Sequence, residues 1–226
     1  MRVLRFAGAA EAADAAARHV AGCAAQAISE RGQFTLALSG GSTPWAMLAL
    51  LADMDLDWSA MHLFQVDERR APDGDAARNL THTRSHFTDR IGLPQSRIHA
   101  MPVMADDFAA GAREYAATLH EVCGEPAVLD LVHLGVGGDG HTASLLPGDA
   151  LLAESRADVG VTGIYQGHRR MSLTFPAIDR SRHIVWLVNG ADKSAMLQRM
   201  INADRGIPAG RIEQARATVF TDIPEP

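Results

Sequence analysis

Short apolar runs and helical stripes alternate along this chain. Residues 2–6 (RVLRF) predict a strand, and residues 10–31 place Ala13, Ala17, Val20, Ala24 and Ile28 on one helical face before Gly32 stops the helix. Phe34 to Leu38 is wholly apolar apart from one threonine and predicts a second strand. Pro44 then suits a first helical turn, with Thr43 as its expected N-cap and WAMLALLA as its body. His62 to Val66 predicts a third strand, a helix is expected to begin near Asn79, and a short strand near Ile98 to Met101. A helix over Asp106 to Val122 ends at Gly124 to Pro126, and Val128 to Val136 reads as a buried strand. The second half predicts a loop or short helix over Asp149 to Val159 and strands at Val159 to Tyr165 and at MSLTF. A helical turn over Ile178 to Arg182, a strand over His183 to Asn189, the helix SAMLQRMI, a last strand at Ala217 to Thr221 and a polar tail complete it. Strands alternating with helices predict an α/β fold, a mainly parallel sheet with helices on both faces. No repeat or linker interrupts the pattern, so one domain spanning 1–226 is expected.

Composition narrows the possibilities. Hydrophobic residues make up 47% of the 226, enough for a sizeable core. The net charge of -6 and the lack of a basic stripe argue against a nucleic-acid partner, while leaving room for a locally positive site. Residues 7–27 are alanine-rich but carry Glu11, Asp14, Arg18 and His19, which predicts a soluble helix rather than a membrane span or signal peptide. Cys23 and Cys123 form neither a disulfide framework nor a metal pattern, so buried thiols and a cytoplasmic location are expected.

Two glycine-bearing loops carry the candidate chemistry. The first follows the strand at 128–136 and reads GGDGHTAS, placing Asp139 and His141 where a strand of an open α/β sheet ends and ligands bind. A histidine there can exchange a proton near neutral pH. Gly135, Gly137 and Gly140 also fit a dinucleotide fingerprint, but the match falls mid-chain and Pro147 and Gly148 cut short any following helix. The second loop, Ser39-Gly40-Gly41-Ser42-Thr43-Pro44, joins a strand to a helix N-terminus, where unpaired N–H groups and the positive helix end attract an anion. A phosphate is the expected guest, with Ser42 and Thr43 hydroxyls as added donors. No Gly-Lys-Ser/Thr follows, so this is not a Walker loop. Asp67-Glu68-Arg69-Arg70 ends the third strand and supplies a carboxylate and cations to the same edge; Lys193 follows a strand-end glycine at 190. His82 and His86 share a helix face but lack a third ligand, so no metal is expected.

Taken together, SGGSTP at 39–44, VDERR at 66–70, GVGGDGHTASLLPG at 135–148, RRMSLTFPAID at 169–179 and VNGADK at 188–193 closely resemble the 6-phosphogluconolactonases. The resemblance implies a Rossmann-like fold of the deaminase, ribose-phosphate-isomerase and CoA-transferase type. It also implies hydrolysis of a phosphorylated sugar lactone without a cofactor, by a monomer or weak dimer. It casts His141 as general base, Asp67 or Asp139 as its orienting carboxylate, and Gly40, Gly41, Ser42, Thr43, Arg170 and Lys193 as the phosphate clamp. Arg69 would contact substrate or lock Asp67. The related glucosamine-6-phosphate deaminases continue the same loop into Phe-Asn-Glu-Pro and use that acid in ring opening, whereas Ser144-Leu145-Leu146 precedes Pro147 here. Their strand-end Asp-Glu is usually followed by Tyr, where Arg69 stands here. A non-catalytic sugar-phosphate sensor could dispense with Asp139 and His141 and would normally carry a DNA-binding segment; neither expectation is met. Gln166-Gly167-His168-Arg169 replaces the proline- and lysine-rich run common in lactonases, and Phe220-Thr221-Asp222 departs from their usual C-terminal tryptophan pattern.

Overall fold

The computed structural model describes residues 1–225; Pro226, the last residue of the expected domain and tail, lies outside the described residues. The strands are β1 (Arg2–Arg5), β2 (Phe34–Leu38), β3 (Met61–Gln65), β4 (Asp67–Arg69), β5 (Ile98–His99), β6 (Leu131–Leu134), β7 (Val159–Val161), β8 (Arg170–Leu173), β9 (His183–Val188) and β10 (Ala217–Thr221). The α-helices are α1 (Ala9–Arg31), α2 (Ser42–Ala52), α3 (Asn79–Thr83), α4 (Phe108–Cys123), α5 (Phe175–Asp179) and α6 (Ser194–Ile201). A seven-stranded sheet runs in the order β1-β10-β9-β6-β2-β3-β5, every pairing parallel. A small antiparallel sheet, β4-β8-β7, lies outside it.

The period-2 alternation of the strands sorts the core into two layers. Leu36, Leu38, Leu131, Val185 and Leu187 face α1 and α2, whereas Ala37, Val132, Leu134, Ile184 and Trp186 face α4, α6 and the small sheet. Alanine at 12, 13, 16 and 17 lets α1 pack closely, and Gly32 closes that helix with φ 74 and an N–H bonded to the Ile28 carbonyl at 2.9 Å. Asp107 caps α4 by accepting from the N–H groups of Ala109 and Ala110, each at 3.0 Å.

Sheet order also locates the site. From β2 the chain proceeds outward through β3 to β5; from β6 it proceeds the other way through β9 to β10. The two neighbours β2 and β6 therefore flank the topological switch point, whose carboxyl edge forms a natural crevice.

Several sequence expectations shift. The strand expected over 128–136 is hydrogen-bonded only at Leu131–Leu134, the one over 159–165 ends at Val161, and the helical turn expected at 178–182 is α5, three residues earlier. Helix α2 begins at Ser42 rather than after Thr43, because Gly41 adopts φ 112 and ψ 162 and serves as N-cap without a side-chain bond. Asp67-Glu68-Arg69, expected at the carboxyl end of the third strand, forms a separate strand β4, drawn out by antiparallel pairing of Asp67 with Ser172 and Arg69 with Arg170.

Candidate active site

One cleft of about 300 Å³ opens at the switch point. Its walls include the Ser39–Pro44 turn after β2, Gly135, Gly137 and His141 after β6, Asp67 and Arg69 from β4, Arg170 from β8, and Lys193. The chain thus brings every sequence-predicted site residue to this cleft or, for Asp139, into contact with a residue lining it.

The turn after β2 is a cradle of free donors. The N–H groups of Gly40, Gly41, Ser42 and Thr43 bond to no acceptor among the described residues, and α2 has no capping side chain. Gly40 must lack a side chain, since a Cβ there would stand 2.0 Å from Asn79 Oδ1.

The loop after β6 uses its donors internally. Gly137 N–H donates to the His141 carbonyl at 2.8 Å, Gly140 N–H to the Gly137 carbonyl at 3.0 Å, and His141 N–H to Asp139 Oδ1 at 3.1 Å. His141 Nδ1 lies 2.5 Å from the same Asp139 oxygen, and the Tyr165 hydroxyl donates to Asp139 Oδ2 at 3.1 Å. Burial opposes ionisation of Asp139, but the backbone and ring bonds from His141, together with that from Tyr165, outweigh it and hold the carboxyl below its ordinary range. An ionised Asp139 makes Nδ1 the protonated nitrogen and leaves Nε2 with a free lone pair. Gly137 permits the ring position: a Cβ there would meet His141 Nδ1 at 2.1 Å.

The two candidate carboxylates part company here. Asp67 is buried, accepts from the Ser144 hydroxyl at 2.6 Å and from Asn79 Nδ2 at 3.4 Å, and makes no hydrogen bond to His141. Burial raises its pKa; Ser144 opposes the shift and Glu68 adds to it. Arg69 donates to the Ala77 carbonyl at 2.8 Å and to Asn79 Oδ1 at 3.3 Å, stiffening that wall. Its neighbour Arg70 points away, stacked over Phe108.

Arg170 is 3% exposed, its guanidinium 4.9 Å from the Tyr165 ring centroid and bonded to Gln166 Oε1 at 3.3 Å. Its Nε has no partner among the described residues. Burial lowers its pKa, partly offset by Asp67. The Gln166-Gly167 segment that departs from the family pattern is a two-residue turn with φ 48 and 82, closed by Tyr165 and His168. Lys193 Nζ rests 3.5 Å from Asp192 at the start of α6. It is the only lysine of the chain, every other cation of that pair of residue types being arginine. That compositional oddity marks the residue from sequence alone.

Sequence reasoning missed the roles of Asn79, Ser144, Tyr165, His133 and Asn189, which line or brace the cleft. Their contacts join residues far apart in the chain, so spacing carries no trace of them. His82 and His86 lie against Trp45, with ring centroids 4.7 and 4.9 Å away. Among the described residues no group of three or more His, Cys, Asp or Glu side chains could hold a metal, and no helix is long and apolar enough to cross a membrane.

Comparison with known proteins agrees with the geometry. The family model described as glucosamine-6-phosphate isomerases/6-phosphogluconolactonase matches residues 7–221. A 6-phosphogluconolactonase of Synechocystis sp. is 39% identical over 176 residues, covering 76% of this chain and 73% of its own. One of Mycobacterium tuberculosis is 36% identical over 191 residues, covering 80% and 77%. The crystal structure of a 6-phosphogluconolactonase from Shewanella baltica superposes with a TM-score of 0.87 at 27% identity, covering 98% of this chain and 96% of that one. The chain belongs to the glucosamine-6-phosphate isomerase/6-phosphogluconolactonase family.

Proposed function

We propose that the protein hydrolyses 6-phospho-D-glucono-1,5-lactone to 6-phosphogluconate, the second step of the oxidative pentose phosphate pathway. The observation that carries this reading is that a histidine held by a carboxylate and a turn of free N–H groups line one cleft from adjacent strands. A phosphate seated on Gly40, Gly41, Ser42 and Thr43, and neutralised by Arg170 and Lys193, anchors the sugar. The lactone carbonyl carbon then faces His141.

His141 Nε2 takes a proton from water as the water oxygen attacks C1. Ionised Asp139 holds the ring and stabilises the imidazolium that forms. Collapse of the tetrahedral intermediate breaks the bond from C1 to the ring oxygen, and the imidazolium returns its proton to that oxygen. Asp67, held by Ser144 and Asn79, shapes the wall between the two ends of the substrate. Binding the distant phosphate fixes the reacting carbon, so the anchor serves turnover as well as affinity.

The deaminase alternative is disfavoured by Leu146 before Pro147 and by Ser144 bonded to Asp67, in a loop where the related enzymes carry an acid. Acid release from freshly made 6-phosphogluconolactone, corrected for spontaneous hydrolysis, tests the reading directly. Turnover of the lactone without ammonia release from glucosamine 6-phosphate is the expected result; the reverse pattern would replace lactonase by deaminase. Arg170→Ala should impair the phosphorylated lactone and spare the unphosphorylated one.

A further inference from the structure

Strand β6 carries a histidine where its neighbours are apolar. His133 lies between β2 and β9, paired with Leu38 on one side and Val185 on the other, and it shares their α1/α2 side of the sheet. The residue is fully buried, and neither ring nitrogen has a hydrogen-bond partner among the described residues. Burial pushes its pKa down to about 4, so the ring is neutral at physiological pH and offers one N–H donor. Burying such a group unpaired costs free energy that leucine would not.

The ring has no solvent-exposed surface, yet the residue belongs to the wall of the cleft, together with the Gly40–Pro44 turn and Leu187. Ser39 N–H donates to the His133 carbonyl at 3.3 Å, which sets the histidine backbone beside the start of that turn. Ser39 Oγ and Asn189 Oδ1, also buried without partners, belong to residues lining the same cleft. Buried groups without partners on His133, Ser39, Asn189 and Arg170 thus belong to residues lining one cleft, whereas His141 and Asp139 satisfy each other.

We infer that His133 is a phosphate-binding residue, its ring N–H donating from below to the phosphate held by the Gly40–Thr43 turn. This rests on the anion site of the proposed lactonase, though not on the lactone chemistry itself. The bond would make the turn selective for an acceptor-rich group with oxygens on both sides. It also explains why a costly side chain stands in a central strand: the cost is offset only when the anion is bound.

The test uses the full chain, inorganic phosphate as probe, and the variants His133→Leu and His133→Gln. Calorimetry should show phosphate binding weakened about 10- to 100-fold in His133→Leu, the range for a lost hydrogen bond to a charged group, with His133→Gln recovering part of it. Phosphate should shift the ring ¹⁵N resonances of His133 in the parent protein, assigned by their loss in the variants. KM for the phosphorylated lactone should rise by a larger factor than KM for unphosphorylated gluconolactone. Melting curves establish that the variants fold, and His133→Gln serves if His133→Leu does not. Equal phosphate affinity in parent and variants, with unmoved ring resonances, would overturn the inference and leave His133 a structural residue, for instance one holding an internal water. Loss of lactone hydrolysis in the parent, with the His133 resonances still responding to phosphate, would remove the lactonase reading and leave the phosphate contact standing.

Discussion

Two loops end adjacent strands of the same sheet, and both are built on glycine, yet they use it in opposite ways. In the turn after β2 the glycines keep the backbone donors free: Gly40 to Thr43 present N–H groups with no internal acceptor. In the loop after β6 the donors close on the loop itself, Gly137 to His141 and Gly140 to Gly137. There the missing side chains make room for a ring and for Ile207, which a Cβ on Gly140 would meet at 2.7 Å. The first loop leaves its donors open, as the proposed phosphate site requires. The second is complete before the ligand arrives, as preorganised catalysis requires. In the proposed reaction, a substrate bound at one end would be presented to a rigid group at the other.

That contrast can be broken most severely at the ring itself. His141→Ala should lower hydrolysis of the phosphorylated lactone by roughly 10²–10⁴-fold, with substrate affinity little changed. Near-parental turnover in a steady-state assay would remove His141 from the chemistry. Gly137→Ala leaves every side chain of the pair in place but drives a methyl into His141 Nδ1. Displacing the ring should cost on the order of 10²-fold in kcat, with KM changing less.

Gly40→Ala sharpens the contrast from the other loop. Its methyl would collide with Asn79 Oδ1 and deform the cradle. Turnover of the phosphorylated lactone per unit concentration should fall by about 10-fold, a lost charged hydrogen bond or two, while the unphosphorylated lactone is spared. Identical penalties on both lactones in either glycine variant would mean that the loops do not divide the work.

The smallest effect concerns stability. Burial raises the pKa of Asp67, so the folded protein keeps this proton at pH values where the unfolded chain has released it. Parent stability should therefore fall as pH rises from the ordinary carboxylate range toward the raised folded value. Asp67→Asn mimics the protonated form and removes that slope. Melting temperatures between pH 4 and 8 should diverge in favour of the variant as pH rises. A parallel pair of curves would mean that Asp67 is ionised in the folded state.

Much of the site was legible because its chemistry is local in the chain. Asp139 and His141 are two residues apart, and the Ser39–Pro44 turn is contiguous, so glycine spacing and residue type sufficed to nominate both. Thr43 misled because its side chain is a good cap in general; the φ of Gly41 let α2 start two residues earlier and bypass it. Arg69, the last residue of β4, lines the cleft as expected, whereas Arg70 just beyond the strand lies over Phe108, a contact that no spacing in the chain announces. His133 was hidden in an apolar run, where hydropathy registers burial but not whether a ring has a partner.

By itself, then, the amino-acid order determined the alternation of strands and helices, the two glycine loops, and the histidine that one of them carries, all set by neighbours a few residues away. Tertiary structure decided which carboxylate touches that histidine, that Ser144 reaches Asp67 across 77 positions, and that Lys193 arrives at the same cleft as Gly40. Those outcomes depend on strand order and register, and register is chosen by the packing of whole sheet faces rather than by any single stretch of chain.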